Sequence, residues 1–298
     1  MTTEHGGHTT ADAGGLPGPL VGADLLAEWL TRPGTVVLDA SVGAHRAAGR
    51  RIPGARRFDI DGALSDHSVP LPHTMPGAAE FEERMRALGV DGTDTVVVYD
   101  TAGIYSSARA WWMLRAMGFD RVAVLDGGLP AWEAGGYPVE EREPGDAGRA
   151  GDFTARPRPG ALVGSDAVVE ALADPRAAVL DARSRERFAG TAAEPRPGLR
   201  GGHMPGAVNL PFGALQSDGR MLPAEQLRAV FQASAGSRER LVVSCGSGVT
   251  ACVLALGAEL AGYGEVSVYD GSWSEWGLPS ELPVETGPQP VLGHETSP

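Results

Sequence analysis

The sequence contains no lysine; all 25 basic residues among its 298 are arginine. That absence removes a lysine Schiff base with a carbonyl or pyridoxal group. It also removes the lysine of a phosphate-binding P-loop. Cysteine is almost missing too, with only Cys245 and Cys252. Two thiols in so long a chain make no disulfide framework. Their C-x6-C spacing fits no zinc-ligand pattern, and no HExxH or Cys/His cluster accompanies them, so neither a metal nor a cofactor is expected. No apolar run approaches the roughly 18 residues of a membrane-spanning helix. The first residues lack the basic and apolar regions of a signal peptide. A cytoplasmic protein with reduced thiols and no membrane partner is the expectation. Positive charge is also in deficit, since 38 acids against 25 bases give a net charge of −13. So acidic a chain argues against nucleic acid as a partner.

What is present is a balanced globular composition, 42% apolar and 21% charged, with length for about two domains at roughly 150 residues each. The chain repeats itself. Val36-Val37-Leu38-Asp39-Ala40 returns as Ala178-Val179-Leu180-Asp181-Ala182, and Ile52-Pro53-Gly54-Ala55 as Met204-Pro205-Gly206-Ala207. Thr95 to Asp100 returns as Arg240 to Cys245, and Asp126, Gly127 and Trp132 return as Asp270, Gly271 and Trp276. The constant order with drifting gaps points to a duplicated domain, not a solenoid. Each half alternates helix and strand. In the second half the pattern predicts a helix capped by Ser165 and Asp166 and running to about Ala173. A strand follows at Ala178–Asp181, then a helix over Pro223–Ala233. Next come a buried strand at Leu241–Ser244, a turn at Cys245–Gly248, a helix over Val249–Ala261 ended by Gly262, and a strand at Val266–Tyr269. The fold class is therefore α/β, two tandem domains, each a parallel sheet with helices on both faces. The divisions are a disordered leader at 1–19, a first half at 20–143, a Pro/Gly-rich linker at 144–160, a second half at 161–285 and a tail at 286–298.

The sharpest signal is Leu241-Val242-Val243-Ser244-Cys245-Gly246-Ser247-Gly248-Val249-Thr250-Ala251. A buried strand ends at a cysteine, and six residues, Cys245 to Thr250, lead into a helix. In open α/β sheets ligands bind beyond the carboxyl ends of the strands. Two glycines let the loop curl with its amides inward, and the helix adds its positive end. Such surroundings favour the thiolate, the nucleophilic form. A free cysteine is as often a small buried hydrophobe. That reading suits Cys252, which sits beside Val253 and Leu254, better than it suits Cys245.

Together the duplicated halves, Asp181-Ala182-Arg183, Gly202-His203-Met204-Pro205-Gly206-Ala207 and the Cys-Gly-Ser-Gly-Val-Thr loop resemble the tandem rhodaneses, over about residues 20–285. The loop is similar to that of the 3-mercaptopyruvate sulfurtransferase type. The resemblance implies an active second half and a first half that has lost its cysteine; Asp100 stands at the matching place. It implies Cys245 as the nucleophile that carries a persulfide, and a substrate cradle of Gly246, Gly248, Val249 and Thr250. Two arginines for the donor carboxylate match Arg187 and Arg196, with Arg183, Arg185 and Arg200 close enough to be confused with them. A Ser–His–Asp relay matches Ser247, His73 and Asp61. The stretch between Asp61 and His73 departs slightly in length from the family pattern, so Asp59 and His67 stand as substitutes. His203 reads as structural. Implied partners are a small sulfur donor and a thiol acceptor such as thioredoxin or glutathione, or cyanide. Neutral Gly246 and Ser247 favour 3-mercaptopyruvate over the dianion thiosulfate as donor. A cysteine phosphatase would need an arginine where Ala251 stands, and a non-catalytic binding module would not need Cys245.

Overall fold

The computed structural model describes residues 15–47, 49–141 and 148–288. The first half contains β1 (Leu20–Val21), α1 (Ala23–Trp29), β2 (Thr35–Asp39), β3 (Arg56–Arg57), α2 (Ala78–Ala87), β4 (Thr95–Tyr99), α3 (Ser107–Ala116), β5 (Val122–Leu125) and α4 (Gly128–Ala134). The second contains β6 (Leu162–Val163), α5 (Ser165–Ala173), β7 (Ala177–Asp181), α6 (Arg185–Phe188), β8 (Val208–Asn209), the hairpin β9 (Gln216–Ser217) and β10 (Arg220–Met221), α7 (Ala224–Ala235), β11 (Arg240–Ser244), α8 (Ala251–Ala261), β12 (Glu265–Tyr269) and α9 (Ser272–Trp276). The two five-stranded sheets run β1-β5-β4-β2-β3 and β6-β12-β11-β7-β8, the same order under the repeat. Every pairing within them is parallel. Parallel strands covered on both faces must be apolar throughout, and the central β4 and β11 are buried along almost their whole length. Among the described residues no helix is long and apolar enough to cross a membrane.

The halves meet through α3 and α8, the helices that follow the two central strands. Both are apolar nearly all round, because each packs on its own sheet and on the other helix. Arg115 of α3 pairs with Glu259 of α8 at 3.0 Å. Since these helices start at the carboxyl ends of β4 and β11, the loops that precede them open onto the seam between the halves.

Several boundaries differ from expectation. Helix α5 starts at Ser165, with Gly164 as its N-cap and no side-chain cap, because the Ser165 hydroxyl turns to Glu275 instead. Helix α8 starts at Ala251, two residues later than its pattern suggested; Cys252 and Val253 donate to Val249 and Thr250 in a tighter first turn. The stretch expected as a linker is anchored over its described part. Phe153 is fully buried among Phe81 and Phe119, and Arg156 and Arg158 bond the backbone of Met117 and Ala116. One aromatic in a Pro/Gly-rich stretch outweighs its polar composition, because burying it removes much apolar area from water. Residues 144–147 lie outside the described residues, as do 1–14 of the leader and 289–298 of the tail. At the near ends of those segments, Leu16 packs in the core, Pro19 accepts from Val124, and Gly287 donates to Ala189.

Candidate active site

Cys245 stands at the carboxyl end of β11 with 2% of its surface exposed. Its backbone is pinned from α9: its N–H donates to the Ser272 hydroxyl at 3.2 Å, and its carbonyl accepts from Trp273 at 2.9 Å. The Gly246 carbonyl accepts from the Ser274 hydroxyl at 2.6 Å. Gly248 has φ +76°, and a Cβ there would meet the Asp270 carbonyl at 2.9 Å, so only glycine suits the turn. Among the described residues no protein oxygen accepts from the N–H groups of Gly246 to Thr250.

The first half shows what such a loop binds. There the loop after β4 folds around its own Asp100, which is fully buried. One oxygen, Asp100 Oδ2, accepts the N–H groups of Tyr105, Ser106 and Ser107 at 2.8, 2.9 and 2.8 Å, with the Ser107 hydroxyl at 2.7 Å. Amides at a turn into a helix converge on an anion. The second half repeats the strand–loop–helix geometry with a thiol in place of the carboxylate.

The wall around Cys245 is polar. Arg187, on α6, lies over Gly246, where an added Cβ would come within 2.9 Å of Nη2. It is held there by a buried charge chain. Glu194, whose side chain is 2% exposed, accepts from Arg187 Nε at 3.3 Å, and from Nη2, and from Arg183 Nη1 at 2.8 Å. Arg183 in turn forks onto Asp181 and lies 4.0 Å over the Trp273 ring. Arg196 makes no ion pair among the described residues, and its charge acts on both His73 and Tyr105. Of the neighbouring arginines, Arg183 is locked in the chain just described, Arg200 bonds the Trp276, Gly277 and Leu282 carbonyls, and Arg185 is exposed. Geometry therefore places Arg187 over the loop, while Arg196 is tied to the cleft by its charge acting on His73 and Tyr105.

His73 reaches the loop from the first half. Its Nδ1 lies 2.9 Å from Ser247 Oγ and its Nε2 3.1 Å from Asp61 Oδ1. Asp61 is oriented by the Gly43 N–H at 2.7 Å. Burial pushes the imidazole below its ordinary value, with Asp61 opposing and the Arg196 and Arg109 charges reinforcing the shift. A neutral ring donates from Nε2 to Asp61 and accepts from Ser247 at Nδ1. Neither substitute bonds His73: His67 is exposed and bonds the Gly62 carbonyl at 2.9 Å, and Asp59 pairs at 2.9 Å with Arg46, which also lies 3.6 Å from Asp61. His203 is buried, stacks on Phe188 at 3.9 Å and bonds its carbonyl. Cys252 is fully buried, its thiol pushed up to about 12 by that burial.

Sequence reasoning missed four residues here. Tyr105 projects from the first half into the field of Cys245, Arg187 and Arg196, and burial and then Cys245 raise its hydroxyl above the ordinary phenol value. Glu194 holds Arg187. Arg109 and Asp270 form a pair across the seam at 2.7 Å. The one available signal was Arg109, a charge inside the apolar run of α3. Two cavities, of about 460 and 590 Å³, lie at the other ends of the strands and include no residue of this cleft.

The chain is similar to known proteins along nearly its whole length. The model of the rhodanese-like domain matches twice, at residues 22–135 and 165–278. The 3-mercaptopyruvate sulfurtransferase of Escherichia coli K12 is 41% identical over 279 residues, covering 89% of this chain and 97% of the relative. An Arabidopsis thaliana protein named thiosulfate/3-mercaptopyruvate sulfurtransferase 1, mitochondrial, is 40% identical, covering 90% and 78%. Among solved structures, SseA from Escherichia coli, described as a 3-mercaptopyruvate sulfotransferase of rhodanese fold, superposes with a TM-score of 0.77 at 38% identity. It covers 86% of this chain and 99% of that one. With both halves matched by the domain model and relatives of this identity spanning nearly its whole length, the chain belongs to the rhodanese family, as a tandem-domain sulfurtransferase.

Proposed function

We propose that this sulfurtransferase takes its sulfur from 3-mercaptopyruvate and passes it through a persulfide on Cys245. The observation that carries the reading is the contrast between the two loops. One fills its amide cradle with Asp100, and the other leaves its amides to whatever stands at Cys245. In the first half-reaction the Cys245 thiolate attacks the donor sulfur. The S–S bond forms, the C–S bond breaks, and the electron pair leaves on carbon as the enolate of pyruvate, which a proton then quenches. Arg187 and Arg196 grip the donor carboxylate, for which planar guanidinium forks are suited. The amides of Gly246, Gly248, Val249 and Thr250 stabilise charge on sulfur. Ser247, bonded to His73 and through it to Asp61, polarises the ketone and moves the proton. In the second half-reaction a thiol such as glutathione or thioredoxin, or cyanide, attacks the outer sulfur and frees Cys245. Alternating half-reactions give ping-pong kinetics.

Thiosulfate is the secondary donor in this reading, because Gly246 leaves room for Arg187 over the loop and brings no charge of its own. Cytoplasmic placement belongs to the proposal as well. Intact-mass spectrometry after incubation with each donor tests it. The expected product is one sulfur atom heavier, is stripped by cyanide and is absent in Cys245→Ser. Turnover at the wild-type rate in Cys245→Ser would overturn the mechanism.

A further inference from the structure

Arg109 sits in the first turn of α3, ahead of an almost wholly apolar run, with its side chain fully buried. A buried guanidinium is costly unless its charge is matched. The match comes from the other half, where Nη2 donates to Asp270 Oδ1 at 2.7 Å. The same Nη2 donates to the His73 carbonyl at 2.8 Å. Asp270 Oδ2 accepts the Met75 N–H at 2.8 Å. The segment 73–75 is thus fastened at both ends to one ion pair with a member from each half. His73 lies within that hold at φ +60°, a left-handed conformation that persists in a non-glycine residue only where its surroundings enforce it. Arg109 Nη1 faces the catalytic loop, 3.3 Å from the place a Gly248 Cβ would take.

The repeat separates docking from chemistry. The first half has the same latch, with Asp126 Oδ1 accepting the Met221 N–H at 3.0 Å from the second half. By the offset of the helices, however, the counterpart of Arg109 in α8 is Val253, fully buried and apolar. There Asp126 meets Arg220, 3.6 Å away, half exposed and next to the latched residue itself; a fully buried arginine reaching in from the helix is added on the side where a histidine has to meet a loop.

We propose that Arg109, braced by Asp270, is a positioning residue. It fixes the segment carrying His73 against the loop carrying Ser247, so that Nδ1 and Oγ stay in hydrogen-bond contact. The inference rests on the relay reading given above. Its test compares Arg109→Met, Arg109→Lys, His73→Asn and the Arg109→Met/His73→Asn double variant in the full chain. The donor is 3-mercaptopyruvate and the acceptor cyanide, with circular dichroism confirming the native fold. Arg109→Met is expected to lower kcat about tenfold or more, within the roughly 10²–10⁴-fold that positioned proton transfer supplies. Donor KM should change little, since Arg187 and Arg196 are untouched. Lysine keeps the charge but not the fork and recovers part of the loss. The double variant should be no slower than His73→Asn, the signature of two residues acting through one. Should Arg109→Met not fold, Asp270→Asn is read the same way; it keeps an acceptor for Met75 and removes the charge. Losses that multiply in the double variant refute the positioning role. So does wild-type kcat in the Arg109 variant beside a slow His73→Asn. Wild-type kcat in His73→Asn refutes the relay itself, and this inference falls with it.

Discussion

A single methyl group at position 246 tests how the donor is held. In Gly246→Ala the new Cβ would stand 2.9 Å from Arg187 Nη2, 3.7 Å from Nη1 and 3.8 Å from Cζ. Ordinary contacts begin near 3.5 Å, so the guanidinium must retreat by about 0.5 Å or more. It cannot do so freely, because Glu194 holds its Nε and Nη2 and is itself held by Arg183. The retreat therefore takes one arm of the fork off the donor carboxylate. A hydrogen bond to a charged group is worth about 1.5–3 kcal/mol. At about 1.4 kcal/mol per tenfold, kcat/KM for 3-mercaptopyruvate should fall roughly 10- to 150-fold. The loss should appear mainly in KM, as for an interaction made equally in ground and transition states. Stability should fall modestly, because displacing the guanidinium strains its bonds to Glu194; the restriction of the unfolded chain by the lost glycine offsets only part of this, φ of Gly246 lying outside the left-handed region. Steady-state kinetics with both donors and a thermal melt on the same preparation provide the check. Wild-type KM with an unchanged melt would show that Arg187 does not grip the donor.

Other outcomes follow from the same geometry. His73 is held below its ordinary value by burial, so it stays neutral and able to accept the Ser247 proton as pH drops below about 6.5; the acid limb of the kcat profile should lie under that value and vanish in His73→Asn. The stability effect has a matching sign. Below about 6.5 the unfolded chain takes up this proton first, so the His73 contribution is lost as pH falls towards its depressed folded value, which acid titration of the melt in wild type and His73→Asn will detect. Glu194→Gln leaves the buried Arg183 and the half-buried Arg187 short of one charge; it should cost about 3 kcal/mol, the lower end for a broken buried pair because Asp181 remains, and should raise donor KM. Unchanged melting and KM would contradict the charge chain. Cys252, fully buried and with its thiol raised to about 12, should resist alkylation in the folded protein while Cys245 reacts, and peptide mapping that found both labelled equally would refute the assignment of Cys252 to the core.

Much of the framework was legible because it is written in local patterns. The runs at 95–99 and 240–244 become the central strands, since a continuous apolar stretch bounded by turn residues fits a strand buried on both faces. The Cys-Gly-Ser-Gly loop was legible because a glycine at φ +76° leaves its mark in the sequence itself. Element ends read less well. Ser165 did not cap its helix, and α8 began two residues late, because a side chain's partner and a tightened first turn depend on neighbours outside the segment.

Sequence alone determined the duplication, the parallel α/β halves and the place of Cys245 at a strand end, all consequences of periodicity and backbone freedom within a few residues. Tertiary structure alone decided which charged groups share the cleft. His73 meets Ser247 across 174 positions, Arg109 meets Asp270 across 161, and Met75 meets Asp270 across 195. No local pattern encodes such meetings. Among 25 arginines, the folding of the second half brings Arg187 over the loop of the thiol, and the docking of the two halves adds Arg109 beside it.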